Sequence, residues 1–174
     1  RHVFMLGGPD ADPAKAAGAP DVKTALERIK AAGAVFVSRG DRSGTHIREL
    51  DLWALAGGPP KAGYLETGQG MAQTLLVASE RRAYTLTDSA SFATLAATSG
   101  LRTIVEGSAD LENIYSVIAV NPARLASARY GEAMAFIAFL TSPRGQALIG
   151  SFKGKAGRPL FEPMAGQPGI DGRK

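Results

Sequence analysis

Phe36-Val37-Ser38-Arg39-Gly40-Asp41-Arg42-Ser43-Gly44-Thr45 opens as a short apolar run, passes through a polar turn with two glycines and leads straight into a helical pattern. A strand that hands over to a helix in this way points the free N–H groups of the first helical turn at one spot. The helix dipole favours negative charge at that spot. Ser43 and Thr45 add hydroxyl donors, and Gly44 lets a ligand approach the backbone closely. Arg39, at the strand end, supplies a planar charged fork suited to oxyanions. Asp41 cannot welcome an anion, so its sensible role is to pair with Arg39 and fix its direction. The same residues also describe a capped helix with a surface Arg39–Asp41 pair, and spacing alone leaves both readings open.

Outward from this turn, strand and helix patterns alternate, which marks an α/β layer with parallel pairing. Upstream, His2–Leu6 reads as a strand stopped by Gly7-Gly8-Pro9, and Asp10–Pro20 as a loop. Val22–Ala32 has helical spacing with Val22, Ala25, Leu26 and Ile29 on one face, and Ala34–Ser38 reads as a buried strand. Downstream, Thr45–Ala56 is helical, with Ile47, Leu50, Ala54 and Trp53 expected to face inward, until Gly57-Gly58-Pro59-Pro60 breaks it. A helix over Met71–Arg82, a strand over Ala83–Leu86, a helix over Ser89–Thr98 and a strand over Arg102–Val105 follow. Tyr115–Val120 is the strongest later strand pattern, and it is expected to lie beside His2–Leu6. From Gly131 the pattern is helical, and Ser142-Pro143 places an N-cap and a first-turn proline at a fresh helix start. The tail, with Pro159-Leu160-Phe161 and Pro163, reads as irregular and pinned by apolar side chains.

Composition narrows the function. With 174 residues, 45% of them hydrophobic, the chain can bury a real core. It has no Cys, which removes disulfides and thiolate chemistry. The longest uncharged stretches, Thr67–Ser79 and Ser89–Leu101, fall short of the ~20 residues that span a bilayer. The formal charge of +4 is a mild field that helps collect small anions. Lys153, Lys155, Arg158, Arg173 and Lys174 crowd the end as a solvated tail, and no basic stripe with interleaved aromatics marks a nucleic-acid binder. No Ser-His-Asp order, P-loop or nucleophile elbow is present, so no catalytic residue is assigned and an enzyme is not expected. His46 has only Glu49 at helical ligand spacing, so His46 and His2 read as surface or helix residues, with no metal site and no cofactor.

The run FVSRGDRSGTHIRELDLW resembles the tungstate-binding proteins of bacterial ABC transporters. The shorter core Arg39-x-Asp41-x-Ser43-Gly44-Thr45 is also similar to the anion turn of phosphate-binding proteins. Tyr64–Met71 (YLETGQGM), Ala83–Asp88 (AYTLTD), Tyr115–Pro122 (YSVIAVNP) and Phe139–Pro143 with Gln146 extend the resemblance over nearly the whole chain, in order. It implies a type II periplasmic-binding-protein fold, with a central mixed, mostly parallel sheet flanked by helices. Residues 1–118 would form the second, anion-binding lobe with crossing strands, and residues 119–174 the C-terminal helices and tail of an incomplete first lobe. On that pattern the chain begins late and is expected to be a fragment, a processed product or half of a split protein. Such a chain is expected to bind weakly by itself, its partner being a missing N-terminal lobe or a dimer partner.

Carried over by matching position, Arg39, Ser43, Gly44 and Thr45 would contact the anion, with Asp41 orienting Arg39. Gly68, Gln69 and Gly70 would form a second helix-start turn facing the cleft. Thr87 would either face the cleft or cap the next helix; Ser89 stands where the family commonly has Arg, and Arg42 where it is often acidic. The implied function is capture of a tetrahedral oxyanion, tungstate or molybdate, outside the cytoplasmic membrane for an ABC transporter permease. Tungstate and molybdate are fully deprotonated at neutral pH and need donors only, whereas phosphate keeps a proton and benefits from a carboxylate acceptor. Phosphate binding, and ligand sensing without transport, are the competing readings.

Overall fold

A computed structural model describes residues 1–154, 157 and 159–166 of the chain. Of the basic tail, Lys153 is exposed, while Lys155, Arg158, Arg173 and Lys174 lie outside the described residues. The chain divides into two compact units, Val3–Asn113 on one hand and Arg1–His2 with Ile114–Lys174 on the other.

The first unit is a mixed α/β layer. Its strands are β1 (His2–Pro9), β2 (Phe36–Ser38), β3 (Tyr64–Glu66), β4 (Thr85–Asp88), β5 (Leu101–Val105) and the short β6 (Glu112–Asn113). Between them run helices α1 (Val22–Ala31), α2 (Gly44–Leu55), α3 (Met71–Glu80) and α4 (Ser89–Ser99). β2 and β3 are parallel, with Phe36 opposite Tyr64 and Ser38 opposite Glu66. A parallel bridge from Phe36 to Tyr84 joins β2 to the head of β4. β1 runs antiparallel to both β4 and β5, and β6 also pairs with β1. The spatial order is therefore β3-β2-β4-β1-β5, four strands pointing one way with β1 set against them. After β3 the chain crosses back over β2, so the carboxyl ends of β2 and β4 flank the place where the strand order reverses. In open α/β sheets that crevice is where ligands bind.

Local chemistry explains most elements. Asp21 caps α1 by accepting the Thr24 N–H at 2.7 Å, and the helix buries Val22, Ala25, Leu26 and Ile29, as their spacing requires. Gly100, at φ 63°, closes α4 in the left-handed conformation. Beneath β2, Phe36, Trp53 and Tyr64 form a ring cluster, with Phe36 and Trp53 edge to face at 5.1 Å.

Four expectations need correction. β1 does not stop at Leu6 but continues through Gly7-Gly8-Pro9. The glycines are there for close approach, since a Cβ on Gly8 would lie 2.5 Å from the Tyr84 ring. Second, α2 turns the other way: Ile47 is 54% and Leu50 42% exposed and Ala54 is exposed, while His46, Glu49, Leu52 and Trp53 are buried. His2 is buried in β1 and is neither a surface nor a helix residue, whereas His46, though buried, is a helix residue as read. The apolar spacing misled here because two polar side chains are needed beneath the turn. Third, the predicted Ala83–Leu86 strand sits two residues later, at Thr85–Asp88, and β3 was not anticipated, because its run of three residues is too short to show a period. Fourth, Tyr115–Val120 forms no strand; a strand pattern needs a partner ladder, and β1 already has β4, β5 and β6.

The second unit contains α5 (Tyr130–Thr141) and α6 (Pro143–Ser151). Ser142 caps α6 by accepting the Gly145 N–H at 3.1 Å, and Pro143 occupies the first turn. A Cβ on Gly145 would meet the Phe139 carbonyl oxygen at 2.1 Å, so the corner between the helices requires glycine. The tail is pinned by Phe161, whose ring meets those of His2, Tyr115 and Phe152. No helix among the described residues is long and apolar enough to cross a membrane.

Candidate functional site

The carboxyl ends of β2, β3 and β4 share one edge of the sheet, and each leads into the start of a helix. At the end of β2, Arg39 donates from Nη2 to Asp41 Oδ2, an ion pair in which both side chains are about four-fifths buried. Asp41 Oδ1 accepts the Ser43 N–H at 3.1 Å, so both carboxylate oxygens are engaged. Burial pushes the Asp41 carboxyl up, but the Ser43 hydroxyl and N–H and the Arg39 guanidinium outweigh it and hold it at about 2. Asp41 is thus a fixed charge that aims Arg39. The Arg39 Nε is buried and without a hydrogen-bond partner among the described residues. A buried donor left in that state costs about 1–3 kcal/mol.

Ser43 is the N-cap of α2, its hydroxyl accepting the His46 N–H at 3.3 Å. Between Asp41 and Ser43, Arg42 adopts φ 59°, a left-handed conformation worth about 1–3 kcal/mol of strain in a residue other than glycine. It is held there by its N–H, which donates to His46 Nδ1 at 3.0 Å. The result sorts the amides: those of Arg42, Ser43 and His46 have acceptors, while no acceptor among the described residues meets the Gly44 or Thr45 N–H or the Thr45 hydroxyl. These donors lie at the start of a 12-residue helix, beside the Arg39–Asp41 pair.

The second turn is tied to the first. Thr67 N–H donates to the Ser38 carbonyl at 3.0 Å, and the Thr67 hydroxyl lies within 3.3 Å of the Ser38 and Arg39 carbonyls. Gly68, at φ 64°, then Gln69 and Gly70 are exposed, and Gly70 is the N-cap of α3. The Gly68–Gly70 turn is therefore tied, through Thr67, to the strand end that carries Arg39. Thr87 does not join them through its side chain: it is fully buried, with its hydroxyl donating to the Asp88 carbonyl at 3.2 Å. Asp88, not Thr87, caps α4, accepting the Ser91 N–H at 2.8 Å.

Sequence reasoning missed the residues underneath. Glu49 is buried and its Oε1 accepts the Tyr64 hydroxyl at 2.5 Å. Burial raises its carboxyl to about 7 against the lowering effect of Tyr64, and the charge of Glu66 adds to the rise. His46 and Glu49 are one helical turn apart on the same face of α2, a spacing read only for metal ligation. The partner that His46 Nε2 faces is Glu66, at 3.8 Å. Thr67 has a role that its sequence context does not show, tying the second turn to the end of β2. A different cleft, of about 900 Å³, lies in the second unit, but Tyr115, Leu148, Phe152 and Phe161 make it apolar, and Arg1 at its wall is paired with Glu162 at 2.9 Å.

Comparison with known proteins finds relatives that match most of the chain. A model of the PBP superfamily domain matches residues 1–144. The chain is 43% identical to a tungstate-binding protein from Desulfovibrio alaskensis, covering 94% of this chain and 68% of that one, with a TM-score of 0.81. It is 42% identical to a tungstate ABC transporter structure from Geobacter sulfurreducens, covering 87% of this chain and 65% of that one, with a TM-score of 0.74. It is 40% identical over 166 residues to a tungstate-binding protein from Peptoclostridium acidaminophilum, covering 93% of this chain and 58% of that protein. The chain spans about half the length of the curated relatives it matches, between 49% and 58%.

Proposed function

This chain belongs to the PBP superfamily and groups within it with the tungstate-binding proteins, and on that premise we propose that it captures a tetrahedral oxyanion at the turn after β2. The ligand is tungstate, with molybdate, nearly equal in size and charge, the close second. The chain works without catalysis, as the solute-binding part of an ABC transporter, on the outer face of the membrane and in partnership with a permease. Its Val3–Asn113 unit is the anion-binding lobe, and the helices after it belong to the other lobe.

One observation carries the reading: among the described residues the Gly44 and Thr45 amides and the Thr45 hydroxyl meet no acceptor, beside an Arg39 that Asp41 holds in place. The Gly44 and Thr45 amides are donors, at the start of a helix. Both oxygens of Asp41 already accept hydrogen bonds from within the turn, which leaves it less suited to receive the hydrogen bond that a protonated phosphate would offer at neutral pH. That favours a fully deprotonated dianion. Gly68–Gly70, at the start of α3, adds a second set of first-turn amides at the same sheet edge.

Isothermal titration of the chain with tungstate, molybdate, phosphate and sulfate, alongside Arg39→Ala, tests this. Tungstate and molybdate are expected to bind in preference to the other two, and Arg39→Ala to weaken them at least tenfold, about the loss of one charge-assisted bond. Equal binding of all four anions, or an unaffected Arg39→Ala variant, would sink the assignment.

A further inference from the structure

We propose that His46 is a positioning residue of the anion turn: its Nδ1, left free to accept because the ring proton sits on Nε2 toward Glu66, holds Arg42 in the left-handed conformation from which α2 presents its first amides. The proposal deepens the oxyanion reading and rests on it.

Arg42 N–H is a donor, so the atom it meets at 3.0 Å must accept. A neutral imidazole that accepts at Nδ1 carries its proton on Nε2. That nitrogen is buried, has no hydrogen-bond partner among the described residues, and lies 3.8 Å from Glu66 Oε1. The carboxylate charge therefore favours the tautomer that the turn needs. Glu66 also touches the turn itself, since a Cβ on Gly40 would lie 2.7 Å from Glu66 Cβ. His46 meanwhile gives its own N–H to the Ser43 hydroxyl. The pattern is a capping box displaced by one residue. In the ordinary box the third helical side chain reaches back to the N–H of the cap residue. Here Asp41 already holds that N–H, so His46 reaches one residue further, to Arg42. The displacement leaves the Ser43 N–H to Asp41 and commits His46 Nδ1 to Arg42.

Two measurements separate this role from simple core filling. Nitrogen NMR of the histidine-labelled chain, with His46 assigned by comparison with His46→Asn, is expected to show Nδ1 unprotonated and Nε2 protonated. The opposite tautomer overturns the proposal. In tungstate titrations His46→Leu is expected to weaken binding about tenfold, the loss of one buried hydrogen bond. His46→Asn, whose Oδ1 can stand in for Nδ1, is expected to stay within about threefold. The deciding background is Arg42→Gly, because glycine adopts positive φ unaided. There, His46→Leu should cost less than about twofold. An equal loss in both backgrounds overturns the proposal. Should the unaltered chain fail to bind tungstate, the oxyanion reading falls by itself. Amide exchange at residue 42 then still decides the role of His46, with protection lost in His46→Leu and kept in His46→Asn if the proposal holds, and unchanged in both if it does not.

Discussion

Two helices of similar length, α1 in the first unit and α5 in the second, treat their apolar residues in opposite ways. α1 closes Val22, Ala25, Leu26 and Ile29 completely against the sheet. α5 is richer in apolar residues, yet none of its residues is buried, and Phe136 is 58% exposed. The contrast extends through each unit. Among the described residues, both clusters of buried core residues fall in Val3–Asn113, whereas the other unit carries Ile118, Leu148 and Phe152 at its surface, with Tyr115 and Phe152 against the Phe161 ring. Contiguous exposed apolar surface marks a face adapted to contact rather than to water. An apolar period thus tells that a face is suited to cover, and the neighbours decide whether it is covered.

The comparison breaks most readily at Trp53. Trp53→Ala removes the ring that meets Phe36 and Tyr64 beneath the site, and is expected to cost about 3–5 kcal/mol in urea unfolding. A loss under about 1 kcal/mol would mean that the first unit's core is not what holds it. Next is Glu49, whose carboxyl is raised from 4.5 to about 7 in the folded chain. Between those values the folded state keeps a proton that the unfolded chain releases. The stabilisation is therefore full below pH 4.5 and is lost as pH rises through 7, on the order of 3 kcal/mol. Glu49→Gln should flatten that slope in unfolding measured from pH 5 to 8; an unchanged slope places the titration elsewhere. Smallest is Phe136→Ala, expected to shift stability by no more than about 0.5 kcal/mol because the ring is already in water. A loss comparable to that of Trp53→Ala would show that α5 is buried in solution.

The same contrast explains what could be read in advance. α1, α3 and α4 were legible because period, caps and breakers agree locally, and the turn after β2 was legible because strand, glycine and N-cap follow one another along the chain. Non-local relations were not. Gly7 and Gly8 look like a stop until the Phe92 and Tyr84 rings are placed over them, and YSVIAV looks like a strand until its missing ladder is seen. The inward face of α2 was misjudged because His46 and Glu49 are polar; the partner of Glu49, Tyr64, is reached only through the fold, whereas His46 bonds Arg42, four residues away. The contacts of Arg39, Asp41 and Ser43 lie within a few residues, so this part of the site was open to reading; its support by Thr67, Tyr64 and Glu66 was not.

The central claim is that an oxyanion meets the Gly44 and Thr45 amides at the start of α2. Titrating the nitrogen-labelled chain with tungstate and following every backbone amide tests it most directly. The account predicts that the largest shifts fall on Gly44 and Thr45, with smaller ones at Arg39 and Gly68–Gly70 and none along α5 and α6. Shifts centred on the apolar cleft around Phe161, or no shifts at all, would contradict it.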